Sequence, residues 1–261
     1  MDISQARHAF ITGGASGIGL GIAEALAARG VPVTIADFDT AELESTVAIR
    51  GSKLRGQVLD VRDRESWARA KEEAEAALGP VDLLFNNAGI PGSGEALADL
   101  APVLFEDVIA TNLIGVFNGI SAFGGGMLAR GTGHIVNTSS MQGMAIDGPG
   151  AGAYGSAKAG VIALSEALRL EMAPHGVGVS VYCPGMTMTP MVVRALRRHA
   201  DGSALPVSLS VKPMEPERAA AIVLRGIEDN RAYIITHPER MAAVEARFAN
   251  IRADCDAGRE H

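Results

Sequence analysis

Thr12-Gly13-Gly14-Ala15-Ser16-Gly17-Ile18-Gly19 is the stretch on which the rest of the chain turns. It follows a short apolar run at 8–12 and opens a helical pattern at 18–29. A helix N-terminus offers unpaired N–H groups and the positive end of the helix dipole, so it attracts phosphate. Glycines let the backbone turn tightly and approach a pyrophosphate closely. The spacing is Gly-x-x-x-Gly-x-Gly, not the commoner Gly-x-Gly-x-x-Gly. A plain strand-to-helix turn is the simpler alternative. The position inside a strand–helix–strand unit favours dinucleotide binding, with Gly13, Ser16, Gly17, Ile18 and Gly19 around the phosphates.

Moving outward, Asp37 closes the next apolar run, eighteen residues past Gly19, and Phe38 follows it. An acidic residue about 20 residues beyond such a loop can accept hydrogen bonds from adenosine ribose hydroxyls. The same carboxylate repels a 2′-phosphate. No Arg or Lys lies in 13–19 or between Asp37 and Arg50, so NAD is expected over NADP. Asp39, two residues on, is available as a helix cap.

The alternation continues. Strands are expected at 8–12, 31–36, 57–61, 82–85, 134–138, 179–183 and 233–236. Helices are expected at 18–29, 41–49, 64–78, 103–117, 154–172, 216–228 and 238–252. Strands alternating with helices imply a single α/β domain, residues 1–261, with a parallel sheet covered on both faces. The exception is 189–213, with Arg194, Arg197, Arg198 and His199, which interrupts the last unit. An insertion at a strand end is the usual place for a substrate loop or lid.

Composition fits this picture. The chain has 261 residues, 48% hydrophobic and 20% charged, and a net charge of −7. That balance opposes general affinity for nucleic acid or anionic membrane. Cys183 and Cys255 match no zinc spacing or disulfide framework, and no metal-ligand constellation is visible. No secretory leader stands at the start, and no run approaches the ~18 apolar residues of a membrane span. A cytoplasmic protein is expected.

Tyr154 and Lys158 are i and i+4 on one helical pattern and share a face. Tyrosine, with a reference pKa of about 10, is a poor proton carrier near neutrality. An ammonium at ~4 Å in an effective dielectric of ~20 favours phenolate by about 4 kcal/mol. An exposed lysine packing on the ring would give the same spacing. Upstream, 133–140 is an apolar strand ending in hydroxyls, and parallel sheets place ligands beyond their strand C-termini. Ser139 or Ser140 can therefore meet a substrate oxygen beside the tyrosine.

Seven motifs in order make the chain resemble the one-domain short-chain dehydrogenase/reductase family over its whole length. They are the glycine loop, Asp60-Val61, Asn86-Asn87-Ala88-Gly89, Asn112, Ser139-Ser140, Tyr154-x-x-x-Lys158 and Pro184-Gly185-Met186-Thr187-Met188-Thr189. The resemblance implies a seven-stranded parallel Rossmann sheet. It implies Tyr154 as general acid/base, Lys158 on the nicotinamide ribose, Ser140 on the reacting oxygen, and Asn112 holding a relay water. It implies Asp60 and Val61 at the adenine, and Asn87, Ala88 and Gly89 along the cofactor. Pro184, Gly185, Thr187 and Thr189 would hold the nicotinamide end.

The Ser140–Tyr154 spacing is fourteen residues where the family usually has thirteen, and Gly124-Gly125-Gly126 replaces a frequent proline. Some members oxidise benzylic alcohols of lignin-derived aryl ethers. The chain is similar to them in 9–19, in 134–138, in Thr236-His237 and in Glu245-Ala246-Arg247-Phe248. The expected function is NAD-dependent interconversion of a secondary alcohol and a ketone on a hydrophobic small molecule. An NADPH ketoreductase and a non-catalytic NAD-sensing module are the alternatives. Members usually pair through helices corresponding to 103–117 and 154–172, so a homotetramer is expected.

Overall fold

The structure is a computed structural model that describes residues 1–51, 54–146, 148–198 and 213–258. Seven strands form one parallel sheet: β1 (Ala9–Thr12), β2 (Val33–Asp37), β3 (Leu54–Val58), β4 (Leu83–Asn86), β5 (His134–Thr138), β6 (Gly178–Cys183) and β7 (Tyr233–Ile235). Their order is β3-β2-β1-β4-β5-β6-β7, every pair parallel. The order reverses between β1 and β4, and a crevice opens there beyond the strand C-termini.

Helices cover both faces. Along each strand alternate residues point to opposite sides. Phe10, Leu84 and Ile135 meet α3 (Arg64–Leu78), α5 (Gly115–Arg130) and α7 (Gly152–Met172) through Trp67, Phe123 and Val161. Ile11, Phe85 and Val136 face the other layer, α1 (Gly17–Ala27), α2 (Thr40–Arg50) and α9 (Pro216–Glu228), through Ile22, Leu43 and Val223. Helix starts follow local chemistry. Asp39 and Asp63 cap α2 and α3 by accepting N–H bonds from Glu42 and Glu65, and Pro216 stands in the first turn of α9.

Three expectations need correction. The third strand lies at Leu54–Val58, not 57–61. It is an edge strand whose register is set by β2, with Val33 opposite Leu54. Leu59 N–H bonds back to the Asp37 carbonyl, and Asp60 has already left the strand. Second, the helix expected at 103–117 continues to Arg130. It runs as α4 (Pro102–Ile109), a π turn (Ala110–Ile114) and then α5. Glycine weighs against helix, but here it is accommodated by close packing: a Cβ at Gly124 would lie 2.9 Å from Met172 Cε. This Pro102–Arg130 run is long and apolar enough by length and composition to cross a membrane, but it packs against α3, α7 and β4.

Third, the insertion begins as a helix, α8 (Pro190–Arg198). Positions 199–212 of the expected lid lie outside the described residues. Its base is tied by a bridge between Thr187 and Met214, with Met188 N–H on the Met214 carbonyl at 2.8 Å and Met214 N–H on the Met186 carbonyl at 2.9 Å. Two further helices, α6 (Met141–Met144) and α10 (Met241–Ala257), flank the sheet's C-terminal edge. They are joined there by Arg247, which donates to the Met144 carbonyl at 2.7 Å.

Candidate active site

A cleft of about 660 Å³ lies at the C-terminal edge, above the β1–β4 reversal. Gly13, Ser16, Gly17 and Ile18 form one wall. Asp37, Phe38, Asp60 and Val61 line one end, Asn87, Ala88 and Gly89 the floor, and Tyr154, Lys158, Pro184 and Thr189 the other end. Ser139 also belongs to the lining, whereas Gly19, Asn112, Ser140, Gly185 and Thr187 do not. Gly13 and Gly17 have φ of +62° and +54°, in the region where side chains are strained. A Cβ at Gly19 would run into the Gly13 carbonyl oxygen, so Gly19 serves the packing of the loop. Ser16 precedes α1 without a side-chain cap bond, which leaves first-turn N–H groups open.

Asp37 accepts N–H bonds from Ala15 and Asp39 at 3.2 Å each, which aims its carboxylate. Asp60 is gripped by the Arg62 guanidinium, and this pair holds its carboxyl below the usual range. Arg62 also faces Asp107 at 3.7 Å. Asn87 ties two strand ends together. Its side-chain amide donates to the Thr12 carbonyl at 3.1 Å, while its backbone N–H and that of Ala88 donate to Thr12 Oγ1.

The two serines separate cleanly. Ser139 is fully buried, and its hydroxyl donates to the Lys158 carbonyl at 2.7 Å. Ser140 caps α6 by accepting the Gln142 N–H, and its hydroxyl is in hydrogen-bond contact with Tyr154. Desolvation raises the Tyr154 pKa, and only the Ser140 contact pulls it down. The Lys158 ammonium stands 5.7 Å from the Tyr154 ring centroid and donates to the Thr138 carbonyl at 2.8 Å. The ammonium thus faces the Tyr154 ring within cation–π range. Burial lowers the Lys158 pKa to about 8.

Asn112 sits in the π turn, a feature frequent at functional sites. Its carboxamide pairs with Ile90 on both sides: Oδ1 accepts Ile90 N–H and Nδ2 donates to the Ile90 carbonyl, each at 2.8 Å. Both Asn112 and Lys158 crowd Gly89. Among the nearby methionines, Met141 and Met186 are buried, while Met144, Met188 and Met191 are half-buried.

The sequence profile described as short chain dehydrogenase matches residues 7–199. The chain belongs to the short-chain dehydrogenase family. It is 36% identical to the C alpha-dehydrogenase of Sphingobium sp. (strain NBRC 103272 / SYK-6), over 95% of this chain and 86% of that protein. A Burkholderia phymatum short chain dehydrogenase/reductase, solved in complex with NAD, superposes with a TM-score of 0.87 at 30% identity, covering 97% of each chain. A variant of actinorhodin polyketide ketoreductase, solved with NADPH, superposes at 0.78 with 33% identity, covering 90% of this chain and 96% of that one.

Short-chain dehydrogenases are oxidoreductases that bind a nicotinamide dinucleotide, and the residues of this one fit such a group. A Cβ at Gly13 or Gly17 would lie 2.9 Å from Ala88 Cα or Thr189 Cγ2, respectively, so this wall presents bare backbone N–H groups at a helix N-terminus. Thr187 Oγ1 is buried beside the nicotinamide end of the cleft without a hydrogen-bond partner. Several site contacts left no sequence signal: the Thr138 carbonyl on Lys158, the Ile90 backbone on Asn112, and the Thr12 hydroxyl under Asn87. Arg194 on α8 also lines the cleft, beside the glycine loop.

Proposed function

We propose that the protein is an NAD-dependent dehydrogenase that interconverts a secondary alcohol and a ketone on a hydrophobic, aromatic or alicyclic substrate. One observation carries this: a single cleft has the Asp37 carboxylate at one end and Tyr154 with Ser140 and Lys158 at the other. Asp37 would take the adenosine ribose hydroxyls and repel a 2′-phosphate. Arg62, which lines that end, is committed to Asp60 and Asp107. Phe38 and Val61 would flank the adenine, and Asp60 its edge. Pro184, Gly185, Thr187 and Thr189 would hold the nicotinamide end.

In oxidation, Tyr154 Oη takes the proton of the substrate hydroxyl while Ser140 donates a hydrogen bond to the same oxygen. A nicotinamide dinucleotide held by these residues would supply the hydride acceptor. Lys158 adds a buried positive charge behind Tyr154, held by Thr138. A water for the proton relay falls to the backbone carbonyls of the π turn, since Ile90 occupies the Asn112 carboxamide. Met144, Met188 and Met191 supply an adaptable apolar wall. We place the protein in the cytoplasm as a homotetramer, bound neither to membrane nor to nucleic acid.

The test is NADH formation from NAD+ over a panel of benzylic and alicyclic secondary alcohols, with NADP+ in parallel. Turnover with NAD+, a loss of about 10³-fold in Tyr154→Phe, and retained NADH binding in that variant support the reading. Preference for NADP+ would make the protein a ketoreductase of the NADPH type. Undiminished turnover in Tyr154→Phe would overturn the mechanism. NADH binding without turnover on any alcohol would point to the sensing module.

A further inference from the structure

Thr236 and His237 follow β7 directly and have no part in the chemistry described so far. Both are buried, 5% and 3% exposed, beside the Pro184–Gly185 turn that ends β6. The Gly185 N–H points at both: Thr236 Oγ1 at 3.2 Å and His237 Nδ1 at 3.2 Å. Those two atoms are themselves 2.8 Å apart. A backbone N–H can only donate, so the Nδ1 that faces it is an acceptor. The ring is then neutral, with its proton on Nε2, and the Thr236 hydroxyl donates to Nδ1. The Met186 carbonyl also faces the ring.

The fit is close. A Cβ at position 185 would lie 2.5 Å from His237 Cγ, so the imidazole rests against the bare α-carbon of the turn. The Tyr182 hydroxyl neighbours both the Thr236 and Thr187 hydroxyls, without a well-formed bond to either. The chain after β7 thus supports from behind the same turn whose front, at Pro184, faces the cleft.

We propose that neutral His237, with Thr236, is a positioning residue that fixes the Pro184–Gly185–Met186 turn and so sets affinity for the nicotinamide half of the cofactor. This rests on the reading of the cleft as a nicotinamide dinucleotide site. Protonation of His237 removes the acceptor that Gly185 N–H uses and sets two donors face to face. Burial resists that protonation, and Glu239 favours it, while Arg240 and Arg218 oppose it. The nicotinamide half should therefore loosen in acid before the adenosine half does.

Calorimetric binding of NADH and of ADP-ribose, which lacks nicotinamide, to the full chain tests this. In His237→Leu, NADH affinity should fall about tenfold, the scale of one lost hydrogen bond, with ADP-ribose within twofold. His237→Asn, whose Oδ1 can stand in for Nδ1, should restore most of the loss. In the wild type the ratio of NADH to ADP-ribose affinity should fall from pH 7.5 to 5.5, and in His237→Asn it should not. Thr236→Val should give a smaller loss of the same kind. Equal weakening of both ligands, or of neither, overturns the proposal and leaves the cofactor reading standing. Failure of the wild type to bind either ligand overturns both.

Discussion

Lys158 carries its charge inside the protein, 2% exposed, with the Thr138 carbonyl as its fixed partner. A buried ammonium loses its proton more easily, and here the pKa falls to about 8. The free enzyme therefore needs Lys158 protonated, while alcohol oxidation needs the Tyr154 hydroxyl to give up its proton. The pH profile of kcat/KM, which reports the free enzyme, should bend downward on its alkaline side near pH 8. In Lys158→Arg, whose charge persists far above that pH, the alkaline bend should vanish even though the maximum rate is lower. A bend unchanged in that variant would assign it to another group. At the opposite end of the cleft, Asp37→Asn keeps the shape and removes the charge. The ratio of NAD+ to NADP+ efficiency should fall about tenfold, the equivalent of ~1.4 kcal/mol. Steady-state kinetics with both cofactors checks it.

At the scale of elements, the π turn within Pro102–Arg130 has a specific dependence on Asn112, which is fully buried and bonded twice to Ile90. Asn112→Leu leaves the Ile90 N–H and carbonyl without those partners, at about 1–3 kcal/mol for each unsatisfied group. Thermal unfolding should show a clearly lower Tm, and turnover should fall with it. This element also shows what a sequence can carry. The glycine loop, Asp37 and the Tyr154/Lys158 pair announce themselves, because their chemistry depends on side-chain type and spacing. The sheet is legible for the same reason: its central strands are apolar on both faces. The edge strand β3 is not, since its burial is mixed and its register comes from β2. The run through Gly124-Gly125-Gly126 is not, because tertiary contacts override local propensity. The choice between Ser139 and Ser140 was open in sequence because both are hydroxyls at one strand end. Only the backbone route decides that Ser139 turns to the Lys158 carbonyl. Backbone partners such as Thr138 and Ile90 leave no mark in residue identity at all.

For the molecule as a whole, three histidines buried among the described residues shape the response to acid. His8 bonds the Gly79 carbonyl and Thr34, His134 bonds Ser180, and His237 faces Gly185. Burial lowers the pKa of all three, that of His134 to about 3. Above pH ~6.5 they are neutral folded and unfolded, and contribute nothing to pH dependence. Below it the unfolded chain takes up protons that the native state refuses, so stability falls as pH falls. Between pH 6 and 5 His134, whose native pKa is held at about 3, should remove about 1.4 kcal/mol per pH unit. Denaturant titrations of His134→Asn should show a slope shallower by about one proton.

Assembly is the other property at this scale. Of the apolar residues of α7, Val161 and Leu168 lie in the core, and Ile162 and Leu164 are half-buried. Exposed apolar residues on these helices include Val103, Leu104, Ile114, Phe117 and Leu128, with Leu170 on α7. Sedimentation should give a tetramer, and Phe117→Glu should halve the mass or reduce it further. A monomeric wild type would refute the assembly.

The Thr187–Met214 bridge gives the protein a modular character. Both ends of the excursion are pinned side by side on the backbone, by bonds from Met188 and Met214 that do not depend on side-chain identity. The sheet therefore senses where the excursion starts and stops, while Thr189, Pro190, Met191 and Arg194 near its start belong to the cleft lining. Because loop closure grows only with the logarithm of length, doubling the inserted stretch adds about 0.6 kcal/mol. Evolution, or a protein engineer, can exchange the stretch beyond Arg194 like a cartridge, while the sheet, the cleft lining up to Arg194 and the Tyr154–Lys158 pair are inherited whole.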